Sequence, residues 1–207
     1  MAGRYEQLAP SAGILGTLFY HDPEAEQSAS ALRALEAEET PIAWPYGQPE
    51  AEACLKRMVD YRESHGLHDI HKAYNRLFVG PTKLPAPPWG SVYTDPESVI
   101  FGNETLAIRR WMRSNCLKMN LRDREPEDHF GLILLMLSWA ATNDVSDESI
   151  DELLEQHLLP WAGRFLDLLT TTCDNGFYEA LSELARVTLA DWEKRFDLHP
   201  TLVRLSR

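Results

Sequence analysis

The chain has 207 residues, 44% of them hydrophobic, with 32 acidic against 20 basic side chains and a formal net charge of -12. This is one domain's length with enough apolar content for a core, and its negative charge excludes nucleic acid and anionic membranes as preferred partners, because both reward positive charge. Cys54, Cys116 and Cys173 are odd in number, far apart and without a C-x-x-C pair, which excludes zinc-ribbon and thioredoxin-type sites and suits a reducing compartment.

Met1 to Glu6 show no basic region, apolar run or cleavage site of a secretory signal, so the cytoplasm is the expected location. Residues 8–20 predict the first helix: Ile14, Leu15, Leu18 and Phe19 share one face, and Gly13 and Gly16 leave room for another helix to approach. A second helix, rich in Ala and Glu, is predicted over 24–38, before the breaks at Thr40-Pro41 and Trp44-Pro45. A third spans 49–64 and closes at Gly66; a fourth spans 69–79 and stops at Gly80-Pro81.

Residues 81–96 hold five prolines, which forbid helix where they stand. Long structureless loops in compact domains are functional or disordered, and Trp89, Val92 and Tyr93 argue for order. The stretch at 80–100 is read as an ordered, partly extended connection that packs back on the body. A fifth helix is predicted over 104–114, with Leu106, Ile108 and Trp111 apolar and Arg109, Arg110 and Arg113 basic.

Glu125 to Ala141 organises the rest. Pro126 suits a first helical position, Glu127 and Asp128 would then sit in the first turn at the positive end of the dipole, and Phe130–Ala141 is apolar all round but for Ser138. A helix without a polar face must be surrounded by protein, and this one is shorter than the about 20 residues a bilayer needs. A buried central helix follows, with an acidic and histidine-bearing mouth. Further helices are predicted from Ser146 to His157, from a restart at Pro160 to 172, and over 175–195. Nothing alternates as a half-buried strand does. The fold class is all-α: a single compact helical domain over 1–207, of about nine helices around the buried one, with 80–100 as the place to divide it if it divides.

Candidate chemistry is sparse. Glu125, Glu127, Asp128 and His129 are metal-ligand and acid–base types, yet adjacent residues on a helix point about 100° apart and do not converge on one ion unaided. The cluster is either ordinary capping, a ligand contact, or the centre of a metal-dependent hydrolase. His65, His68 and His71 would diverge by about 240° on one helix, and Gly66 breaks it. No Walker-type loop and no G-x-S-x-G elbow is present. Trp44, Tyr46, Trp89 and Tyr93 sit beside prolines. They either pack the core or, with Leu77 and Phe78, line a groove suited to an apolar segment bearing cations.

Several stretches carry a resemblance: Arg76–Pro81, Pro87–Tyr93, Glu97–Gly102, Glu125–Phe130 and His157–Asp167. With its L-F-x-G-P and E-P-x-D-H motifs, nearly the whole chain resembles the TorD/DmsD family, and most of all its DmsD branch. The resemblance implies an all-helical, non-enzymatic chaperone of the cytoplasm with no cofactor of its own. Such a chaperone binds the twin-arginine signal peptide of a molybdenum-cofactor oxidoreductase and delays export until folding and cofactor loading finish. The implied client is a dimethyl sulfoxide reductase catalytic subunit or a close relative. The Tat translocase is a further partner to consider, and membrane contact is transient at most. A monomer is expected, and the hinge at 80–100 permits a domain-swapped dimer. By motif, the peptide-binding residues would be Leu77, Phe78, Trp89, Gly102, Pro126, Asp128 and His129, with Glu127 joining Asp128 as an acceptor for arginine. Tyr74 and Tyr93 stand where tryptophan is expected. Covering about 300 Å² of apolar surface would favour binding by about 7 kcal/mol before ordering costs. Asp128 is expected to set the salt dependence of binding, and His129 its pH dependence.

Overall fold

The computed structural model describes residues 4–35, 44–81, 83–119 and 125–206. Among them are ten α-helices: α1 (Leu8–Tyr20), α2 (Ala29–Leu35), α3 (Glu50–His65), α4 (Leu67–Tyr74), α5 (Gly90–Thr94), α6 (Asn103–Ser114), α7 (Phe130–Ala140), α8 (Asp147–Glu152), α9 (Leu159–Thr172) and α10 (Gly176–Arg195). A 3-10 turn, Glu26–Ser28, leads into α2; a π turn, Asn75–Val79, extends α4; and a π turn, Leu153–Leu158, joins α8 to α9. Nine separate rods result, and the described residues contain no strand beyond one isolated bridge. The expected all-α class and helix number hold. The predicted helix end at 36–38 and the break at Thr40-Pro41 lie outside the described residues. No helix among the described residues is long and apolar enough to cross a membrane.

Local chemistry explains most boundaries. Gly66 ends α3 at φ 79°, its N–H bonded to the Arg62 carbonyl at 2.8 Å, a left-handed position that only glycine adopts freely. Gly80 ends the first π turn at φ 103°, its N–H reaching back to the Asn75 carbonyl at 2.9 Å. Ser146 and Asn175 cap α8 and α10 by accepting backbone N–H groups from the first turn.

Two expectations are corrected. Pro160 does not restart the chain; the helix runs through it, with the π turn of Leu153–Leu158 just before. A proline inside a helix lacks a donor and crowds the carbonyl four residues back, and a π turn widens the coil there. The Glu155 carbonyl, five residues before Pro160 and so without its π-turn donor, accepts the Thr201 N–H at 2.9 Å instead. The connection at 80–100 is ordered, as expected, and its proline-free middle forms α5. The central helix begins at Phe130, not at Pro126, because the side chain of His129 serves as its cap.

By internal contacts the chain divides into two compact units: residues 1–16, 88–164 and 198–207, and residues 17–87 and 165–197. The first is built round α7. Phe130, Leu132, Ile133, Leu134, Met136 and Leu137 have no exposure at all. The first half of α1 lies directly against α7: a Cβ on Gly16 would stand 2.8 Å from the Gly131 carbonyl oxygen, and one on Gly13 2.9 Å from Ser138 Oγ. Ser138, the one polar residue of α7, donates to the Ala9 carbonyl of α1 at 2.8 Å. Trp161 stacks on Tyr93 of α5 and meets Phe130 edge-on.

In the second unit α10 packs along α3. Tyr178 of α10 meets Phe78 edge-on at 5.3 Å, and Phe78 in turn meets Phe19. The indole of Trp44 donates to Thr188 at 2.9 Å, and Trp192 meets Tyr46 edge-on. Trp44, Tyr46 and Tyr93 are 2%, 1% and 0% exposed, so three of the four proline-flanked aromatics are core and do not line a groove.

Candidate functional site

The site belongs to the first unit and starts from a single antiparallel bridge. Trp89 pairs with His129: the Gly90 N–H donates to the Asp128 carbonyl at 3.0 Å and the Phe130 N–H to the Pro88 carbonyl at 2.7 Å. From this rung one chain enters α5 and the other α7. Gly90 is glycine because a Cβ there would stand 2.8 Å from the Trp161 indole nitrogen.

The turn Pro126–His129, closed by the His129 N–H on the Pro126 carbonyl at 3.2 Å, holds the acidic residues. Asp128 is fully buried. One carboxylate oxygen accepts the Ser91 N–H at the start of α5, and the other accepts the Thr105 hydroxyl of α6, each at 2.7 Å. Ser91 and Thr105 also touch through their hydroxyls at 3.2 Å. Asp128 therefore ties α5 and α6 to the mouth of α7. It does not offer a carboxylate to solvent. Gly102 caps α6, where a Cβ would stand 3.0 Å from Asp95 Oδ2 and 3.1 Å from the Ser91 side chain. It lets the start of α6 close on α5.

His129 is 4% exposed. Its Nδ1 accepts the Gly131 N–H at 3.0 Å, so that nitrogen carries no proton, and its ring stands edge-on to Trp89. Protonating Nδ1 would break the cap of α7, which gives His129 a structural duty that the pH expectation did not foresee.

Trp89 is half-buried, its indole N–H donating to Glu125 at 2.8 Å. Glu127 accepts from Arg109 of α6 at 2.7 Å through one oxygen, and that bond, opposed by partial burial, holds the Arg109 guanidinium more firmly protonated than usual. Its other oxygen is buried with no hydrogen-bond partner. The Arg109 guanidinium also lies 5.9 Å from the centre of the Phe101 ring. Phe101 ends the α5–α6 loop, where Val99, Ile100 and Phe101 are exposed.

Of the residues predicted from sequence, Trp89, Gly102, Pro126, Glu127, Asp128 and His129 thus fall in the first unit. Leu77 and Phe78 lie on the π turn after α4 in the second, at 3% and 7% exposure. Reasoning from sequence missed Ser91, Thr105 and Arg109, whose partners are distant in the chain and leave no local mark. It gave no role to Val99–Phe101, although Glu97–Gly102 was among the stretches that carried the resemblance. The hydrolase alternative finds no support: among the described residues no three His, Cys, Asp or Glu side chains are placed to hold a metal, and Asp128 and His129 Nδ1 are already engaged.

The family described as the nitrate reductase delta subunit matches residues 45–167. The Tat proofreading chaperone DmsD of Salmonella typhimurium is 44% identical over 188 residues, 91% of this chain and 90% of that protein. The probable Tat proofreading chaperone DmsD of Haemophilus influenzae is 32% identical over the full length of both. The chaperone protein YcdY of Escherichia coli is 26% identical over 87% of this chain and 91% of its own.

Proposed function

Since this chain belongs to the nitrate reductase delta subunit family, the TorD/DmsD family of the sequence resemblance, we propose that it is a chaperone for the twin-arginine signal peptides of redox enzymes. The observation that carries the reading is the 44% identity, over nine-tenths of both chains, to a protein named a Tat proofreading chaperone. It acts by binding and changes no bond in its guest. Its client is the catalytic subunit of a dimethyl sulfoxide reductase or a close relative, held in the cytoplasm until folded and loaded with cofactor. The chain works as one chaperone domain over 1–207, as a monomer, and hands the client to the Tat translocase.

The peptide contacts the face carrying Trp89, Glu127 and the edge of His129, while Asp128, Gly102 and Pro126 position that face. Leu77 and Phe78 belong to the proposed peptide-binding set on the strength of the motif. An export signal is flexible and must be ordered on binding, so moderate affinity and ready release are expected.

The test is a pull-down of twin-arginine redox-enzyme precursors with the full chain. Capture of the intact precursor, lost when its signal peptide is deleted, is the expected result. Equal capture with and without the signal would overturn the reading.

A further inference from the structure

The α5–α6 loop is built at a conformational cost. Ser98 and Phe101 lie in the left-handed region at φ 50° and 64°, which strains a residue other than glycine. Glycine would take Phe101's backbone without strain, yet the chain places an aromatic ring there and leaves it 47% exposed. Val99, Ile100 and Leu106 are 37%, 48% and 48% exposed. Leu106 sits one turn into α6, its N–H on the Gly102 carbonyl. Together these four expose on the order of 300 Å² of apolar surface, a size at which a patch is often functional.

The patch adjoins an unsatisfied anion. Arg109 joins them: its guanidinium faces the Phe101 ring at 5.9 Å and donates to one oxygen of Glu127 at 2.7 Å. The second oxygen of Glu127 is shielded from water and accepts nothing, and a buried acceptor without a donor is unfavourable until one arrives. A carboxylate binds a guanidinium best through both oxygens, and Arg109 uses only one. On a chain of net charge -12, a shelf of apolar side chains beside half a vacant carboxylate fits one occupant: an apolar segment led by arginine.

We propose that Glu127, whose side chain keeps 14% of its surface exposed, turns its unused oxygen toward an arginine of the guest, and that Val99, Ile100, Phe101 and Leu106 form the shelf on which the following apolar residues lie. This rests on the chaperone reading and deepens it. Arg109 positions Glu127 from the other side, and its stacking on Phe101 fixes the distance between carboxylate and shelf.

The test uses the full chain and a synthetic peptide with two adjacent arginines followed by an apolar run of about 15 residues. Two altered peptides carry glutamine for both arginines or serines within the apolar run. Glu127→Gln keeps an acceptor for Arg109 and removes the charge. Ile100→Ser with Phe101→Gly removes the shelf and relaxes the strained backbone, so that folding is not put at risk.

Glu127→Gln is expected to weaken the parent peptide about tenfold and to leave the arginine-free peptide as the unaltered protein binds it. The shelf variant is expected to weaken the parent peptide at least about tenfold and to leave the serine-interrupted peptide unaffected. Variants that bind the parent peptide as the unaltered protein does would overturn the proposal and leave the chaperone reading standing. So would variants that weaken all three peptides alike. Failure of the unaltered protein to bind the parent peptide would overturn both.

Discussion

Asp128 offers the sharpest separation between a carboxylate that holds the fold and one that meets a guest. Asp128→Ala strips the acceptor from the Ser91 N–H and from the Thr105 hydroxyl, both buried. Two orphaned donors would cost about 2–6 kcal/mol. The Thr105 hydroxyl can turn to Ser91 Oγ, already 3.2 Å away, so the lower half of that range, about 2–4 kcal/mol, is expected. Asp128→Asn keeps one oxygen for the Ser91 N–H and donates its amide to Thr105, losing only the charge-assisted part, about 1 kcal/mol. Urea unfolding followed by tryptophan fluorescence measures both, with an unchanged m-value as the sign that only stability moved. Salt titration of peptide binding completes the assay. Asp128→Asn should leave the slope of log affinity against log salt intact, since a buried, internally bonded charge is not screened as an exposed one is. An alanine variant within about 0.5 kcal/mol of the parent, which is the range of an ordinary surface change, would refute the positioning role. A flattened salt slope with intact stability would place the carboxylate against the guest instead.

Two further outcomes follow from packing and charge. Gly16→Ala should lose about 1–2 kcal/mol in urea unfolding, because its Cβ meets backbone atoms of Gly131 and Leu135 and helix propensity offsets only part of the overpacking; Gly163→Ala, with nothing within 4 Å, should instead gain up to about 1 kcal/mol, and equal effects would refute the close approach of α1 to α7. His71 is raised above its ordinary value, first by its hydrogen bond to Asp22 and against partial desolvation, with Glu24 also favouring and Lys72 opposing the charged ring. A raised folded value means that the proton stabilises the fold: the contribution is complete below about pH 6.5 and disappears as pH rises through the raised value. The stability gap between the parent and His71→Gln should therefore shrink from acid to alkaline pH, and a gap that does not vary would remove the ion pair from the account.

Much of the architecture was legible because it is written in local chemistry. Helix-period apolar spacing marked nearly every rod, and Gly66, Gly80, Ser146 and Asn175 marked ends where the backbone itself needs that residue type. Errors fell where a distant partner overrides local preference. Pro126 reads as a helix start, but His129, docked against Trp89, takes the cap four residues later. Pro160 reads as a break, but the preceding π turn accommodates it and the distant Thr201 N–H takes the carbonyl it leaves.

At the site the division is similar. The motifs named Trp89, Gly102 and residues 125–129, since a family resemblance identifies positions that act together. Residue type alone then made every acidic side chain look available. Whether a carboxylate's hydrogen bonds are complete is decided by what folds over it: Ser91 and Thr105, 37 and 23 residues away, engage both oxygens of Asp128, while Glu127, beside it in the chain, keeps one buried oxygen unused.

From sequence alone came the all-helical class, the buried rod at 130–140 and the family. Only the tertiary structure separated the carboxylate that fastens three helices from the one beside an exposed apolar shelf. The physical reason is that helix formation depends on neighbours along the chain, whereas desolvation and hydrogen-bond completion depend on neighbours in space.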